Sequence, residues 1–212
     1  MIKGIIFDLD GTLLYTLQDL HNAINYALKN NNLKEISIEQ TKLYIGNGIE
    51  KLVIRAIGKS DKFDEVLKDF KFYYGKHNND FTKPYDGILE MLETLNKNHI
   101  KMAVVSNKYQ EGVTKICTPL FSKYMDIFIG PSGNIKTKPD SEMVNIALNK
   151  MNLKNSECLY VGDSDVDIQT AKNSNMKSIG VLWGYKDVSN ASYVINNPNE
   201  IIKIIKKENE NE

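Results

Sequence analysis

The chain has 212 residues, which is enough for one substantial hydrophobic core and a small second unit. Lys and Arg together number 27, as do Asp and Glu, so no excess charge favours binding to nucleic acid or to an anionic membrane surface. The two cysteines show no disulfide or metal-binding spacing, and no apolar run has the length of a signal-peptide core or a membrane span, which together predict a cytoplasmic protein.

Short apolar runs recur along the chain between segments with helical periodicity. The runs lack polar alternation, which is typical of strands buried on both faces of a sheet. The alternation of strand and helix predicts an α/β fold with a Rossmann-like parallel sheet core. The predicted strands are residues 4–7, 102–105, 127–129, 158–161 and 178–182.

One interval, from about residue 17 to residue 81, breaks this alternation because it carries helical patterns and no strand pattern. We therefore expect an inserted small helical cap domain. The predicted boundaries are 1–14 and 85–206 for the catalytic core and 15–84 for the cap, with turn residues at the hinges. The charged, Asn-rich segment 207–212 is expected to be a disordered tail.

Two carboxylates, Asp8 and Asp10, follow the first predicted strand in the run Phe7-Asp8-Leu9-Asp10-Gly11-Thr12. Open parallel sheets bind ligands at the carboxyl ends of their strands, and a two-residue spacing lets both acids point into one crevice. Like charges so close need a cation or a shared proton. An Asp-Gly turn at the end of a strand is the simpler interpretation, and the location argues for a functional one.

Two further groups follow the second and third strands. Ser106 and Asn107 precede a helix, where they could bind an anion or act as ordinary helix caps. Lys138 could be a solvated surface charge, or the fixed cation that a cluster of carboxylates and phosphate requires.

A last group of acids follows the fourth strand. Asp163 lies at its end and Asp167 in the first turn of the next helix, while Asp165 is interpreted as a capping or solvated residue. Capping explains one or two of these acids, whereas a hard divalent cation explains the set. All four groups occupy the carboxyl ends of successive strands, so they are expected to converge on one crevice.

The four groups resemble the four motifs of the haloacid dehalogenase-like hydrolase superfamily, and the match spans nearly the whole chain. In order they are D-x-D-G-T, Ser-Asn, Lys-Pro and G-D-S-x-x-D. The helical insertion, the Gly46-Asn47-Gly48 turn and the Gly184-Tyr185 segment resemble the phosphoglycolate phosphatase-like branch. The chain departs from many relatives at Tyr15, where they carry an acid near the entry to the cap.

The resemblance implies a Mg²⁺-dependent phosphatase that hydrolyses a small phosphate monoester, such as phosphoglycolate, through an aspartyl-phosphate intermediate. It makes Asp8 the nucleophile and Asp10 the general acid and base. It further implies metal binding by Asp8, the Asp10 backbone carbonyl and Asp163, support by Asp167, phosphate binding by Thr12, Ser106, Asn107 and Lys138, and a substrate-specificity loop at Gly46, Asn47 and Gly48.

Other functions stay open at this stage. A phosphomutase of the beta-phosphoglucomutase type would use the same acids, and a pyrophosphatase or a non-catalytic phospho-ligand-binding protein could share the fold. A dehalogenase fits less well, since it needs neither Asp10 as an acid nor Asp163 as a metal ligand. The expected partner is a small phosphorylated metabolite, with no nucleic acid or membrane, and the expected state is a monomer or homodimer.

Overall fold

The structure is a computed structural model and describes residues 1–210. The chain forms two compact units, the first built from Met1–Leu13 and the chain from Pro84 onward, the second from Leu14–Lys83. In chain order the elements are β1 (Gly4–Phe7), β2 (Leu14–Tyr15), α1 (Leu17–Asn30), α2 (Ile38–Tyr44), α3 (Ile49–Ile57), α4 (Phe63–His77), β3 (Lys83–Pro84), α5 (Ile88–Lys97), β4 (Lys101–Val105), α6 (Gln110–Phe121), β5 (Ile127–Ile129), α7 (Glu142–Met151), a 3-10 turn (Asn155–Glu157), β6 (Cys158–Gly162), α8 (Asp165–Asn173), β7 (Lys177–Val181), β8 (Tyr193–Ile195) and α9 (Glu200–Glu210).

A six-stranded sheet of order β5-β4-β1-β6-β7-β8 forms the centre of the first unit, and its paired strands are parallel. This confirms the predicted α/β class with its parallel core and inserted helical segment. All four residues of β1 are buried, as a central strand covered on both faces requires. Because β1 pairs with both β4 and β6, the carboxyl ends of these three strands lie side by side.

Helix α7 covers part of this sheet with an apolar face. Met143, Val144 and Ala147 are fully buried and belong to one cluster with Ile6 of β1 and Tyr160 of β6. Side chains three and four positions apart on a helix share a face, so this spacing explains how α7 packs on the sheet. The packing fixes the strands whose ends carry the predicted site residues.

Strand β8 was not predicted from the sequence. It is only three residues long and lies at the edge of the sheet, next to β7. Its run Tyr193-Val194-Ile195 is as apolar and as short as that of β5, and its edge position leaves Val194 41% exposed.

The second unit contains α1 to α4. Its core includes Phe70 and Tyr74 of α4, which stack with ring centroids 5.3 Å apart, and Tyr26 of α1 stacks on Tyr73 at 4.5 Å. Short strands β2 and β3 pair as a two-stranded ribbon. Taken by itself, the second unit is mainly helical.

Asp19, in the first turn of α1, ties the beginning of the second unit to its end. Its side chain is buried and accepts hydrogen bonds from the Thr82 backbone N–H at 2.9 Å, the Thr82 hydroxyl at 2.7 Å and the Phe81 N–H at 3.1 Å. A buried carboxylate is stable when several donors satisfy it, and this one has three.

The expectation of a disordered tail from residue 207 is wrong for residues 207–210, because α9 continues to Glu210. Glu208 accepts a 2.6 Å hydrogen bond from the Lys177 ammonium and another from the Tyr193 hydroxyl, which fasten the helix end to β7 and β8. The remainder of that prediction, residues 211–212, lies outside the described residues. Among the described residues no helix combines the length and apolar character needed to cross a bilayer.

Candidate active site

Asp8 follows β1 directly and lies against the Lys138 side chain. The Lys138 ammonium donates a 2.6 Å hydrogen bond to Asp8 Oδ1, and both side chains are almost completely buried. The Asp8 N–H donates to the Val161 carbonyl at 2.8 Å, which extends the β1–β6 pairing by one residue and fixes the Asp8 backbone. The fold thus holds one carboxylate at the end of its central strand, against a buried cation.

Asp167, in the first turn of α8, binds the same lysine at 2.7 Å. Its other oxygen accepts a 2.5 Å hydrogen bond from the Ser164 hydroxyl, and the Tyr160 hydroxyl lies 3.3 Å from Asp167 Oδ1. These contacts occupy both carboxylate oxygens. Asp167 therefore orients Lys138, in keeping with a supporting acid.

Asp163 lies one residue beyond β6 and is also buried. Its Oδ2 accepts a 2.7 Å hydrogen bond from the Tyr185 backbone N–H. Gly184 permits this approach, because a Cβ added there would lie 2.2 Å from Asp163 Cβ. The Gly184-Tyr185 segment noted in the sequence thus holds the Asp163 carboxylate in place.

Burial and mutual repulsion disfavour the charged form of these carboxylates. Burial, followed by the negative charge of Asp167, raises the pKa of Asp8 to about 7 despite the opposing effect of Lys138. The same causes raise the pKa of Asp163 well above its usual value. Burial by itself would lower the pKa of Lys138, but Asp167 and Asp8 raise it well above the ordinary value. The cluster therefore needs more positive charge than Lys138 supplies.

Asp10 faces a second lysine that the sequence interpretation left without a role. Lys108 Nζ lies 3.2 Å from Asp10 Oδ1, and the Lys108 side chain is only 3% exposed. No described donor forms a hydrogen bond to the buried Asp10 Oδ1, so the ammonium is the charge that this oxygen meets. Lys108 follows Ser106 at the two-residue spacing that separates Asp8 and Asp10, and this repeat was the signal that could have identified it.

The predicted phosphate-binding residues divide into two kinds. Thr12 and Ser106 are buried hydroxyl residues in the first unit, and Thr12 Oγ1 has no hydrogen-bond partner among the described residues. Asn107 differs, because its Oδ1 accepts from the Lys138 N–H at 2.8 Å and its Nδ2 donates to the Lys138 carbonyl at 3.2 Å. The Asn107 amide therefore clamps the Lys138 backbone, and its predicted phosphate contact stays a prediction.

The predicted specificity loop lies in the second unit, between α2 and α3. Gly46 and Gly48 have φ angles of 107° and 85°, a left-handed backbone region that favours glycine. The Arg55 guanidinium donates to Asn47 Oδ1 at 2.9 Å and to the Tyr44 carbonyl at 2.6 Å. Arg55 is the single arginine of the chain, and it braces this loop from α3.

The acidic cluster of the first unit fits a divalent cation. Carboxylate oxygens of Asp8, Asp163 and Asp167 lie within 4.8 Å of one another, and all three residues are buried. Two buried lysines, Lys138 and Lys108, lie among four acidic residues, Asp8, Asp10, Asp163 and Asp167, so the acidic groups outnumber the lysines. A cluster of carboxylate oxygens is the kind of ligand set that a hard divalent metal prefers.

Comparison with known proteins identifies the family. The model of the haloacid dehalogenase-like hydrolase family matches residues 5–181. A phosphoglycolate phosphatase from Aquifex aeolicus is 33% identical over 208 residues, which cover 96% of this chain and 97% of that protein. The chain is a haloacid dehalogenase-like hydrolase. Its predicted place in the phosphoglycolate phosphatase-like branch and its class as a phosphatase are confirmed with it.

Two further relatives show the range of this hydrolase branch. A protein from Caldanaerobacter subterraneus, inferred to be a pyrophosphatase, is 31% identical to this chain. The alignment covers the whole of this chain and 98% of that protein. The crystal structure of a protein from Lactobacillus delbrueckii, inferred to be a phosphoglycolate phosphatase, has a TM-score of 0.91 at 32% identity. That alignment covers 96% of this chain and 98% of the other.

Proposed function

We propose that this hydrolase is a Mg²⁺-dependent phosphatase that cleaves a small phosphate monoester, with phosphoglycolate as the first candidate, through an aspartyl-phosphate on Asp8. The observation that carries the proposal is the Asp8 carboxylate, which the Lys138 ammonium holds at 2.6 Å inside a buried cluster of acids. A fixed carboxylate beside a cation can act as a nucleophile that splits hydrolysis into two displacements.

In the first displacement an Asp8 oxygen attacks phosphorus, and the bond from phosphorus to the alcohol oxygen breaks. The departing oxygen takes the proton of the Asp10 carboxyl group, so the alcohol leaves neutral. In the second displacement water attacks the phosphorus of the aspartyl-phosphate and gives its proton to the Asp10 carboxylate. Asp8 is released as a carboxylate, and inorganic phosphate leaves. The two acids therefore have different tasks, although they lie two residues apart.

Asp8, the Asp10 backbone carbonyl and Asp163 would hold Mg²⁺, and Asp167 would keep Lys138 in position. When bound, the metal would neutralise the charge of the phosphoryl group during transfer. The composition of the site supports this assignment, since two lysines lie among four acidic residues.

Thr12, Ser106 and Lys138 would bind the phosphoryl oxygens. The buried Thr12 hydroxyl, which lacks a hydrogen-bond partner among residues 1–210, supports this role, because buried polar atoms are normally satisfied. Asn107 would contribute through its clamp on Lys138. Catalysis of phosphoryl transfer depends mainly on such positioning and on charge neutralisation.

We further propose that the second unit, residues 14–83, acts as the cap that recognises the leaving group. Its Gly46-Asn47-Gly48 turn, braced by Arg55, is the candidate specificity loop. The relatives from Aquifex aeolicus and Lactobacillus delbrueckii support phosphoglycolate as the first substrate to test. The Caldanaerobacter relative makes pyrophosphate the second candidate.

A phosphate-release assay tests the proposal. Wild type, Asp8→Asn and the control Asp165→Asn are incubated with phosphoglycolate, pyrophosphate, sugar phosphates and an aryl phosphate, with Mg²⁺ or with chelator. Asp165 is the control because it is an exposed acid in the first turn of α8, close to the site residues in sequence. We expect Asp165→Asn to remain active, and activity to vanish in Asp8→Asn and in chelator.

Two results would contradict the proposal. Equal phosphate release by wild type and Asp8→Asn would exclude Asp8 as the nucleophile, and activity in chelator would exclude the metal. An isomerised sugar phosphate without free phosphate would identify a phosphomutase. Preference for pyrophosphate over all monoesters would replace the proposed substrate class but keep the mechanism.

A further inference from the structure

Lys108 is a buried cation for which the proposed reaction has no use so far. Its side chain is 3% exposed, and its Nζ lies 3.2 Å from Asp10 Oδ1. Burial of an ammonium group is costly unless a charge compensates it, so the Asp10 carboxylate is part of what holds Lys108 inside the protein. The relation is reciprocal, since Lys108 is also the charge that meets Asp10.

The backbone around Lys108 is built to keep this lysine in place. Its N–H donates to the Ser106 hydroxyl at 3.2 Å, and its carbonyl lies so close to Gly130 that a Cβ there would be 2.3 Å from the oxygen. The first helical turn also packs on the side chain, because a Cβ on Gly112 would lie 3.3 Å from Lys108 Cγ. Lys108 therefore occupies a tightly enclosed position at the end of β4.

Asp10 needs such an anchor. In the proposed reaction its carboxyl group must face the leaving oxygen in the first displacement and the attacking water in the second. A carboxyl group with a free side-chain torsion samples several orientations, and misplacement by about 1 Å can cost about 10²-fold in rate. An ammonium group locked by its surroundings removes that freedom from one Asp10 oxygen and leaves the other for proton transfer.

We propose that Lys108 is the positioning residue for Asp10: it orients the carboxyl group that moves the protons and does not itself bind the phosphoryl group. This inference rests on the proposed function, because it assumes the two roles of Asp8 and Asp10. Each of the two buried lysines then holds one acid: Lys138 holds the nucleophile Asp8, and Lys108 holds the acid and base Asp10.

The dependence of rate on the leaving group tests this role. An alkyl phosphate needs a proton from Asp10 to expel its alkoxide, whereas p-nitrophenyl phosphate expels a stable phenolate without one. For Lys108→Met we expect kcat/KM for the alkyl phosphate to fall about 10²-fold, the size of a general-acid contribution, and kcat/KM for the aryl phosphate to change less than about threefold. Aryl turnover should slow after an initial burst, because breakdown of the aspartyl-phosphate still needs Asp10 as a base.

Lys108→Arg is the conservative variant and should recover most of the alkyl activity. Lys115→Met is the matched control, because Lys115 is an exposed lysine of the neighbouring helix α6 and should not alter either substrate. An equal loss on both substrates in Lys108→Met would overturn the inference and would indicate a direct phosphate contact or a general loss of structure.

The double variant Asp10→Asn/Lys108→Met provides a second test, which can be used even if Lys108→Met does not fold. It removes both members of the Asp10–Lys108 pair and so leaves neither charge without its partner. If Lys108 acts through Asp10, this variant and Asp10→Asn should have the same activity within about threefold. A further loss of more than about tenfold would overturn the inference. Failure of the proposed function is recognised separately, because wild type would then release no phosphate or Asp8→Asn would still release it.

Discussion

Lys138 and Asp167 form an ion pair with an N–O distance of 2.7 Å, and their side chains are only 3% and 2% exposed. The same ammonium is 2.6 Å from Asp8. One lysine thus compensates two buried carboxylates that come from β1 and α8, elements far apart in the sequence. Its role in stability can be separated from its role in chemistry by measuring unfolding in the absence of metal.

Replacement of Lys138 by Met is expected to destabilise the protein strongly. Removal of one partner from a buried ion pair leaves uncompensated charge and typically costs about 3–5 kcal/mol. Urea unfolding in chelator measures this loss, and Lys136→Met is the control because Lys136 is 71% exposed and lies two residues away. The prediction fails if both variants unfold at the same urea concentration. Lys138→Met should also lose phosphate release in Mg²⁺.

Gly184→Ala is expected to weaken Mg²⁺ activation by displacing Asp163. The new Cβ would lie 2.2 Å from Asp163 Cβ and 2.7 Å from the Gly11 carbonyl, so the Asp163 carboxylate must shift. Disturbance of the groups that orient a metal ligand typically lowers metal affinity by about 10–100-fold. A titration of phosphate release against Mg²⁺ measures the effect. Gly75→Ala, where an added Cβ meets no atom within 4 Å, should keep the wild-type midpoint.

Arg55→Gln is expected to raise KM about tenfold while kcat stays near the wild-type value. The change removes the charge that fixes Asn47 and the Tyr44 carbonyl, so the loop must be ordered when substrate binds. An ordering cost of about 1.4 kcal/mol corresponds to this factor of ten. Steady-state kinetics measure the split, with Lys51→Gln as an exposed control on α3. A fall in kcat at unchanged KM would contradict a role in substrate binding.

Both cysteine thiols are expected to be unreactive in the folded protein. Burial raises the pKa of Cys117 and of Cys158 to about 12, so at pH 8 roughly 10⁻⁴ of each is thiolate. A thiol reagent at pH 8 should label neither residue before unfolding and two per chain in denaturant. Rapid labelling of the native protein would show that α6, which carries Cys117, or β6, which carries Cys158, opens.

The same pKa shifts set the direction of a pH effect. The folded protein retains the two thiol protons that the unfolded chain loses near pH 8.5. The contribution of these thiols to the free energy of unfolding must therefore fall as the pH rises above that value. Replacement of both cysteines by alanine should remove this contribution in a urea series between pH 8 and pH 10.

The sequence predicted the central strands because they are buried on both faces and consist almost wholly of apolar residues, as in β1. It did not predict β8, although the apolar run Tyr193–Ile195 is as long as that of β5, which was predicted. The carboxyl-end rule selected Asp8, Asp10, Ser106, Lys138 and Asp163 without any knowledge of distances. In the structure the strands that precede them, β1, β4, β5 and β6, are neighbours in one parallel sheet.

Sequence patterns do not show which residues contact one another inside the site. The sequence does not show that the oxygen and the nitrogen of the Asn107 side-chain amide both bind the backbone of Lys138, which is 31 residues away. Lys108 was given no role from the sequence, although its two-residue spacing from Ser106 repeats that of Asp8 and Asp10. Its burial, which distinguishes it from the exposed Lys115, is visible only in the structure, because charge in a sequence carries no sign of burial.

The two ends of the chain that flank the inserted segment lie next to each other. In the first unit the Tyr85 N–H donates to the Leu13 carbonyl at 3.2 Å, so the two ends that flank the insertion are neighbours. In the second unit Asp19 binds Thr82, so its own two ends are neighbours as well. A segment with adjacent ends can be lengthened, exchanged or shortened to a turn without cutting a strand of the sheet. Under the proposed function, exchange of this one segment would change the recognition of the leaving group and would leave the acids and lysines at the strand ends in place.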